Sequence, residues 1–146
     1  MKLTDLHQSW EEDSRIDETN LGRESTRVPL LHSKYLSYLG KVKLLQRKAE
    51  SDYFNIRRLK YKYYRGEMSQ AELDEAGWEQ FQGNKPLKNE MDEFLQCDKD
   101  LIELQDKVEY FRTVIFTLEQ ILRSINSRTW DIKTAVEWTK FTNGMM

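Results

Sequence analysis

The residues best suited to chemistry lie in one run, Arg57-Arg58-Leu59-Lys60-Tyr61-Lys62-Tyr63-Tyr64-Arg65-Gly66, where cations and tyrosines interleave. Arginine and lysine neutralise phosphates with release of counterions, and tyrosine rings offer faces on which unpaired bases stack with little sequence preference. On a helix, Arg58, Lys62 and Arg65 share one face. The same residues have a second reading. Tyr63 belongs to a core, Tyr61 and Tyr64 pack on neighbours, and the cations oppose the acidic stretch that follows Gly66. The segment alone leaves both open.

Other chemistries find little support. Neither GxxxxGK[ST] nor GxGxxG occurs, and no strand is predicted to present a phosphate-binding turn, so ATP hydrolysis is not expected. His7 and His32 are far apart, with no second ligand one turn away, and Cys97 is the single cysteine. That excludes an intramolecular disulfide and a cysteine-based zinc site, and it fits a reducing cytosol. Glu11-Glu12-Asp13 and Asp98-Lys99-Asp100 read as solvated faces rather than catalytic carboxylates. The expectation is a non-enzyme with no cofactor and no metal. The N-terminus mixes Lys2, Asp5 and Gln8 with isolated apolar residues, and nowhere do 18 apolar residues run together, so neither a signal peptide nor a membrane span is expected.

The elements that must position the basic run are helices. A chain of 146 residues suits a single domain, and two prolines and six glycines leave long stretches uninterrupted. Charge is segregated: residues 34–65 carry ten basic and two acidic side chains, and residues 67–109 carry four basic and thirteen acidic. Leu31, Tyr35, Tyr38, Val42, Leu45, Ala49, Ile56, Leu59 and Tyr63 fall at three- and four-residue steps, which predicts a long helix from near Pro29 to Arg65. Pro29 suits its first turn and Gly66 the position just past its end. A second seam, Phe94, Cys97, Leu101, Leu104, Val108, Phe111, Ile115, Leu118, Leu122 and Ile125, predicts a helix from about Leu87 to Ile125. Between them, Ser69-Gln70-Ala71-Glu72 reads as a capping box opening a short acidic helix, and Gly83-Asn84-Lys85-Pro86 as a turn. This connection is short enough for the long helices to pack antiparallel.

Leu3, Leu6 and Trp10 suggest a short N-terminal helix, and Thr129 a cap for a last helix running to about Thr142. Trp130, Ile132, Val136, Trp138 and Phe141 spread around most of that last helix. Either it folds back on its own protomer, or one face is left for oligomerisation. The expected architecture is therefore all-α and one domain, 1–146. It divides into an N-terminal and basic part (1–66), a variable acidic connection (67–86), and the second long helix with a C-terminal oligomerisation helix (87–146).

Near the end of the first long helix, the chain resembles the UvsY-type recombination mediators of tailed bacteriophages. In that family a basic pair two residues apart, then a tyrosine pair and a glycine, ends the first long helix. Arg58 and Lys60 occupy the basic positions here, and Tyr63, Tyr64 and Gly66 the rest. The resemblance extends through Leu3-Thr4-Asp5-Leu6, Ile16-Asp17, Ser33-Lys34, Asp98-Lys99-Asp100 and Ser127-Arg128, and is weakest from Glu67 to Pro86. Lysine and arginine are exchanged at the basic pair, and Lys62 replaces an acidic residue, changes that keep or raise positive charge.

The resemblance implies a non-catalytic protein of the infected host's cytoplasm that binds single-stranded DNA in recombination, recombination-dependent replication and repair. It implies contacts with a phage recombinase and with single-strand-binding protein, the first being helped to displace the second. It also implies a ring-like homo-oligomer of roughly six or seven subunits. The DNA-binding set expected is Arg57, Arg58, Lys60, Lys62, Tyr63, Tyr64 and Arg65. The alternative is a coiled-coil adaptor or scaffold that binds no DNA and whose basic and acidic segments pair with each other.

Overall fold

A computed structural model describes residues 2–144, and every regular element among them is a helix. The order is α1 (Leu3–Asp13), α2 (Leu21–Tyr64), α3 (Gln70–Ala76), α4 (Met91–Gln96) and α5 (Lys99–Thr142). The chain forms two compact units, one made of residues up to Lys43 and from Arg112 onward, the other Leu44–Phe111. Each contains a segment of α2 and a segment of α5.

The predicted helices are present, but three boundaries differ. α2 begins eight residues before Pro29, because the Asn20 side chain accepts the Arg23 N–H at 3.2 Å and caps the first turn. Pro29 is thus an interior helical residue. It lies on the exposed face, as does Ser25, whose carbonyl loses its helical donor and can turn to water. Glu67 N–H reaches Lys62 O at 3.0 Å around Gly66, whose φ of 70° closes the C-terminus as expected.

The second seam does not form one helix from Leu87. α4 stops at Gln96, Cys97 is exposed, and Asp98 starts α5 anew by accepting the Leu101 N–H at 3.1 Å. At the other end, no fresh helix begins at Thr129. α5 runs on to Thr142, since neither glycine nor proline interrupts it and a threonine inside a helix is no stop signal. The Ser69 capping box is present as predicted, with the Glu72 N–H on Ser69 Oγ and Gly77 in the left-handed region at the end of α3.

In the first unit, α2 contributes buried Leu31, Tyr35, Leu39 and Val42, and α5 contributes Val114, Leu118, Ile121, Ile125 and Ile132. α1 is held by buried Leu6, by Trp10 packed edge-on to Tyr35 at 5.5 Å, and by Asp13, which accepts from Lys34 Nζ at 2.6 Å and Tyr35 Oη at 2.7 Å. Arg128 is 3% exposed and donates to the Ser14 and Arg15 carbonyls and to Glu24, tying α5 to the link between α1 and α2. In the second unit, Met91, Leu95 and Leu101 form the apolar core, with Tyr53, Ile56, Tyr61 and Tyr64 of α2 packed on it. Leu45, expected on the first seam, is exposed.

Candidate nucleic-acid interface

The basic run ends α2 within the second unit, and the structure treats its cations very differently. Lys60 falls on the buried side of the helix and is only 6% exposed. Its ammonium sits 3.2 Å from Asp98 and 2.8 Å from Asp100, at the start of α5, and 4.1 Å from the centre of the Trp78 ring. A lysine so placed serves the fold: two carboxylates and an aromatic face satisfy a charge that is almost fully withdrawn from water.

Asp98 is the centre of this arrangement. Burial pushes its carboxyl up, but bonds from Tyr64 Oη (2.6 Å), the Leu101 N–H and Lys60 outweigh that and hold its pKa below the ordinary carboxylate value. Burial, then the charge and hydrogen bond of Asp98, push the Tyr64 phenol well up, so it stays a neutral donor.

Both tyrosines of the expected stacking pair are half-buried and engaged with other rings. Tyr63 packs against Tyr64, Trp78 and Phe81 at 5.3–5.8 Å. Tyr64 packs against Phe81 and Phe94 as well, at 5.0 and 5.5 Å. This edge-to-face cluster anchors the irregular segment between α3 and α4 to the end of α2.

The remaining cations point outward. Lys62 pairs with Glu72 at 2.8 Å, Arg65 with Glu67 at 2.9 Å and Arg57 with Asp92 at 3.7 Å, all in water-accessible positions. Arg58 is exposed and has no ion pair among the described residues. Sequence reasoning missed two further members of this face. At 100° per residue, Arg47, Phe54, Arg58 and Arg65 fall within a sector of about 40°. Phe54 stands off the apolar seam, which was the available signal.

A cavity of about 650 Å³ lies on another side of α2, lined by Ile56, Leu59, Glu75, Trp78, Asp100 and Glu103 among others. Its carboxylates would repel a phosphate backbone. Among the described residues no group of His, Cys, Asp or Glu is arranged to hold a metal ion, and no helix is long and apolar enough to cross a membrane.

The expected oligomerisation residues divide in the same way. Ile132 is buried in the first unit and Val136 half-buried, whereas Trp130, Trp138 and Phe141 are 67%, 65% and 61% exposed. Trp138 and Phe141 stack on each other at 5.7 Å.

A family model described as "Recombination, repair and ssDNA binding protein UvsY" matches residues 9–145. A relative named "Recombination protein uvsY", from Enterobacteria phage T4, is 26% identical over 144 residues, with 99% of each chain covered. Among solved structures, the chain is similar to the bacteriophage T4 recombination mediator protein UvsY in lattice type II. The TM-score is 0.83 at 25% identity over 98% of each chain. Lattice type IV of that protein gives 0.84 at 24% identity, covering 97% of this chain and 99% of that one.

Proposed function

The chain belongs to the UvsY family of recombination mediators, and we propose that it works without catalysis by binding single-stranded DNA along the exposed cationic face of α2. Arg58, exposed on that face and without an ion pair among the described residues, is the observation that carries the reading. Lys62, Arg65 and Arg57 join it by exchanging exposed carboxylate partners for phosphates. Exposed ion pairs contribute only about 0–1 kcal/mol, so the exchange is cheap, whereas Lys60 is committed to the fold. In this reading the bound strand is held for loading of a phage recombinase in place of single-strand-binding protein, in the host cytoplasm.

A salt-dependent titration with labelled single-stranded DNA tests it. Arg58→Ala should keep its helicity and bind less tightly, with log affinity falling less steeply against log salt by roughly 0.7 for each phosphate no longer neutralised. A folded variant with unchanged affinity and slope would remove Arg58 from the interface. The adaptor reading is favoured by the three exposed pairs between basic and acidic segments. It requires that the wild-type protein show no salt-dependent DNA binding at all.

Assembly is proposed to use Trp130, Trp138 and Phe141, since large aromatics bury about 150–250 Å² each and these three are exposed. Several subunits in a ring would multiply weak binding at each one through effective concentration. Ile132 serves its own unit, so point substitutions test assembly more cleanly than truncation. The double variant Trp138→Ser, Phe141→Ser should sediment as smaller species with helicity kept, and DNA affinity should drop by about tenfold or more. An oligomer of wild-type size would place the subunit interface elsewhere.

A further inference from the structure

Tyr63 and Tyr64 are half-buried in a cluster with Trp78, Phe81 and Phe94, so much of their ring surface is already engaged. Phe54 is different. It is 65% exposed, and its one ring neighbour among the described residues is Tyr53, at 5.4 Å and 73°. A large apolar side chain projecting mostly into water from a charged helical face contributes little to the core of its own unit.

Its surroundings point to a particular ligand. Arg47 precedes it by seven residues and Arg58 follows by four, about 10 Å and 6 Å along the axis. Ser51 and Asn55, to one side of this line, are both exposed. The acidic neighbours do not oppose an anion strongly: Glu50 lies 4.0 Å from Arg47 as its counterion, and Asp52 is half-buried on the other side of the helix. The patch therefore offers a π-face flanked by two guanidinium groups, one of which has no ion pair among the described residues.

Resting on the DNA-binding reading above, we infer that Phe54 is a stacking platform for an unpaired nucleobase, with Arg47 and Arg58 holding the backbone phosphates on either side. Both features of the patch match the ligand. Cations alone would fit any polyanion, and an exposed ring alone would fit any apolar surface. A ring between arginines fits a strand that alternates charged backbone with planar, unstacked bases. Duplex DNA keeps its bases stacked inside and offers the ring nothing, so the site selects single strands.

The test uses the full-length protein with two probes of equal length, a thymidine oligonucleotide and an abasic deoxyribose-phosphate strand. Wild-type protein should bind the thymidine strand more tightly. Phe54→Leu, which keeps apolar bulk but has no π-face, should weaken thymidine-strand binding about 3- to 10-fold and leave abasic-strand binding unchanged. Phe54→Trp should restore the preference. Equal affinities of wild type and Phe54→Leu for the thymidine strand would overturn the inference. So would an equal loss on both strands, or a smaller sedimenting mass for Phe54→Leu, which would make the ring part of a subunit interface. Wild-type protein that binds neither strand would instead remove the DNA-binding reading itself.

Discussion

Arg128 in the first unit and Lys60 in the second are both cations withdrawn from water, yet their sites are built differently. Arg128 spreads its planar guanidinium over three acceptors, the Ser14 and Arg15 carbonyls and the Glu24 carboxylate, at 2.9–3.1 Å. Its Nε is buried with no acceptor among the described residues. Lys60 is a point charge between two carboxylates and the face of Trp78, and one of those carboxylates, Asp100, is half-exposed. The planar fork of Arg128 fixes a chain reversal by binding two backbone carbonyls in set directions, whereas the three rotatable donors of the Lys60 ammonium face two carboxylates and a ring. Each helps hold an irregular segment to its unit, but the groups around Arg128 have fewer substitutes.

The largest expected effect follows from that asymmetry. Arg128→Met strands two carbonyls and leaves Glu24 with Arg27 alone at 3.3 Å, and should cost about 3–5 kcal/mol in urea unfolding. Lys60→Met should cost less, about 1–3 kcal/mol. The methionine stem preserves packing, Asp98 keeps Tyr64 and the Leu101 N–H, and Asp100 can turn to water. Equal losses would mean that the two sites are energetically alike despite their geometry.

A smaller effect concerns acid. The Asp98 pKa is lowered on folding, so its contribution is full above the unfolded carboxylate value of about 3.9 and is lost as pH falls through the folded value. Asp13 behaves alike in the first unit. Burial raises its pKa, but hydrogen bonds from Lys34 and Tyr35 and the nearby charges of Lys34 and Arg27 lower it further. Asp98→Asn should therefore remove part of the stability that the wild-type protein loses as pH falls below about 4, with the Asp13 share remaining. An acid profile identical to wild type would show that Asp98 carries no linked proton.

Helix type, the short acidic helix and the end of α2 were legible because each has a local cause: three-four apolar spacing, Ser69 with Glu72, and Gly66 with its positive φ. The start of α2 was not: Pro29 suits a first helical turn and pointed there, whereas in the structure the Asn20 side chain caps the helix. The break at Asp98 and the continuity through Thr129 were harder to see. A seam of apolar residues does not reveal where an aspartate will cap, and a threonine gives the same signal inside a helix as before one.

What the sequence determined by itself was therefore the all-α class, the concentration of positive charge in α2, and the short motifs that carry the family resemblance. Each depends on residue type, order or spacing along one chain. Only the tertiary structure decided which charges and rings remain available to a ligand. Lys60 and Arg58 are two residues apart, and a helix turns about 200° over that distance, so one meets Asp98 and Asp100 while the other meets water. Likewise Tyr63 and Tyr64 are drawn into a cluster by Trp78, Phe81 and Phe94, rings supplied from beyond the end of α2, and Phe54 is not. Composition counts such groups alike; packing separates them, because burial of a charge or a ring depends on partners that are distant in sequence.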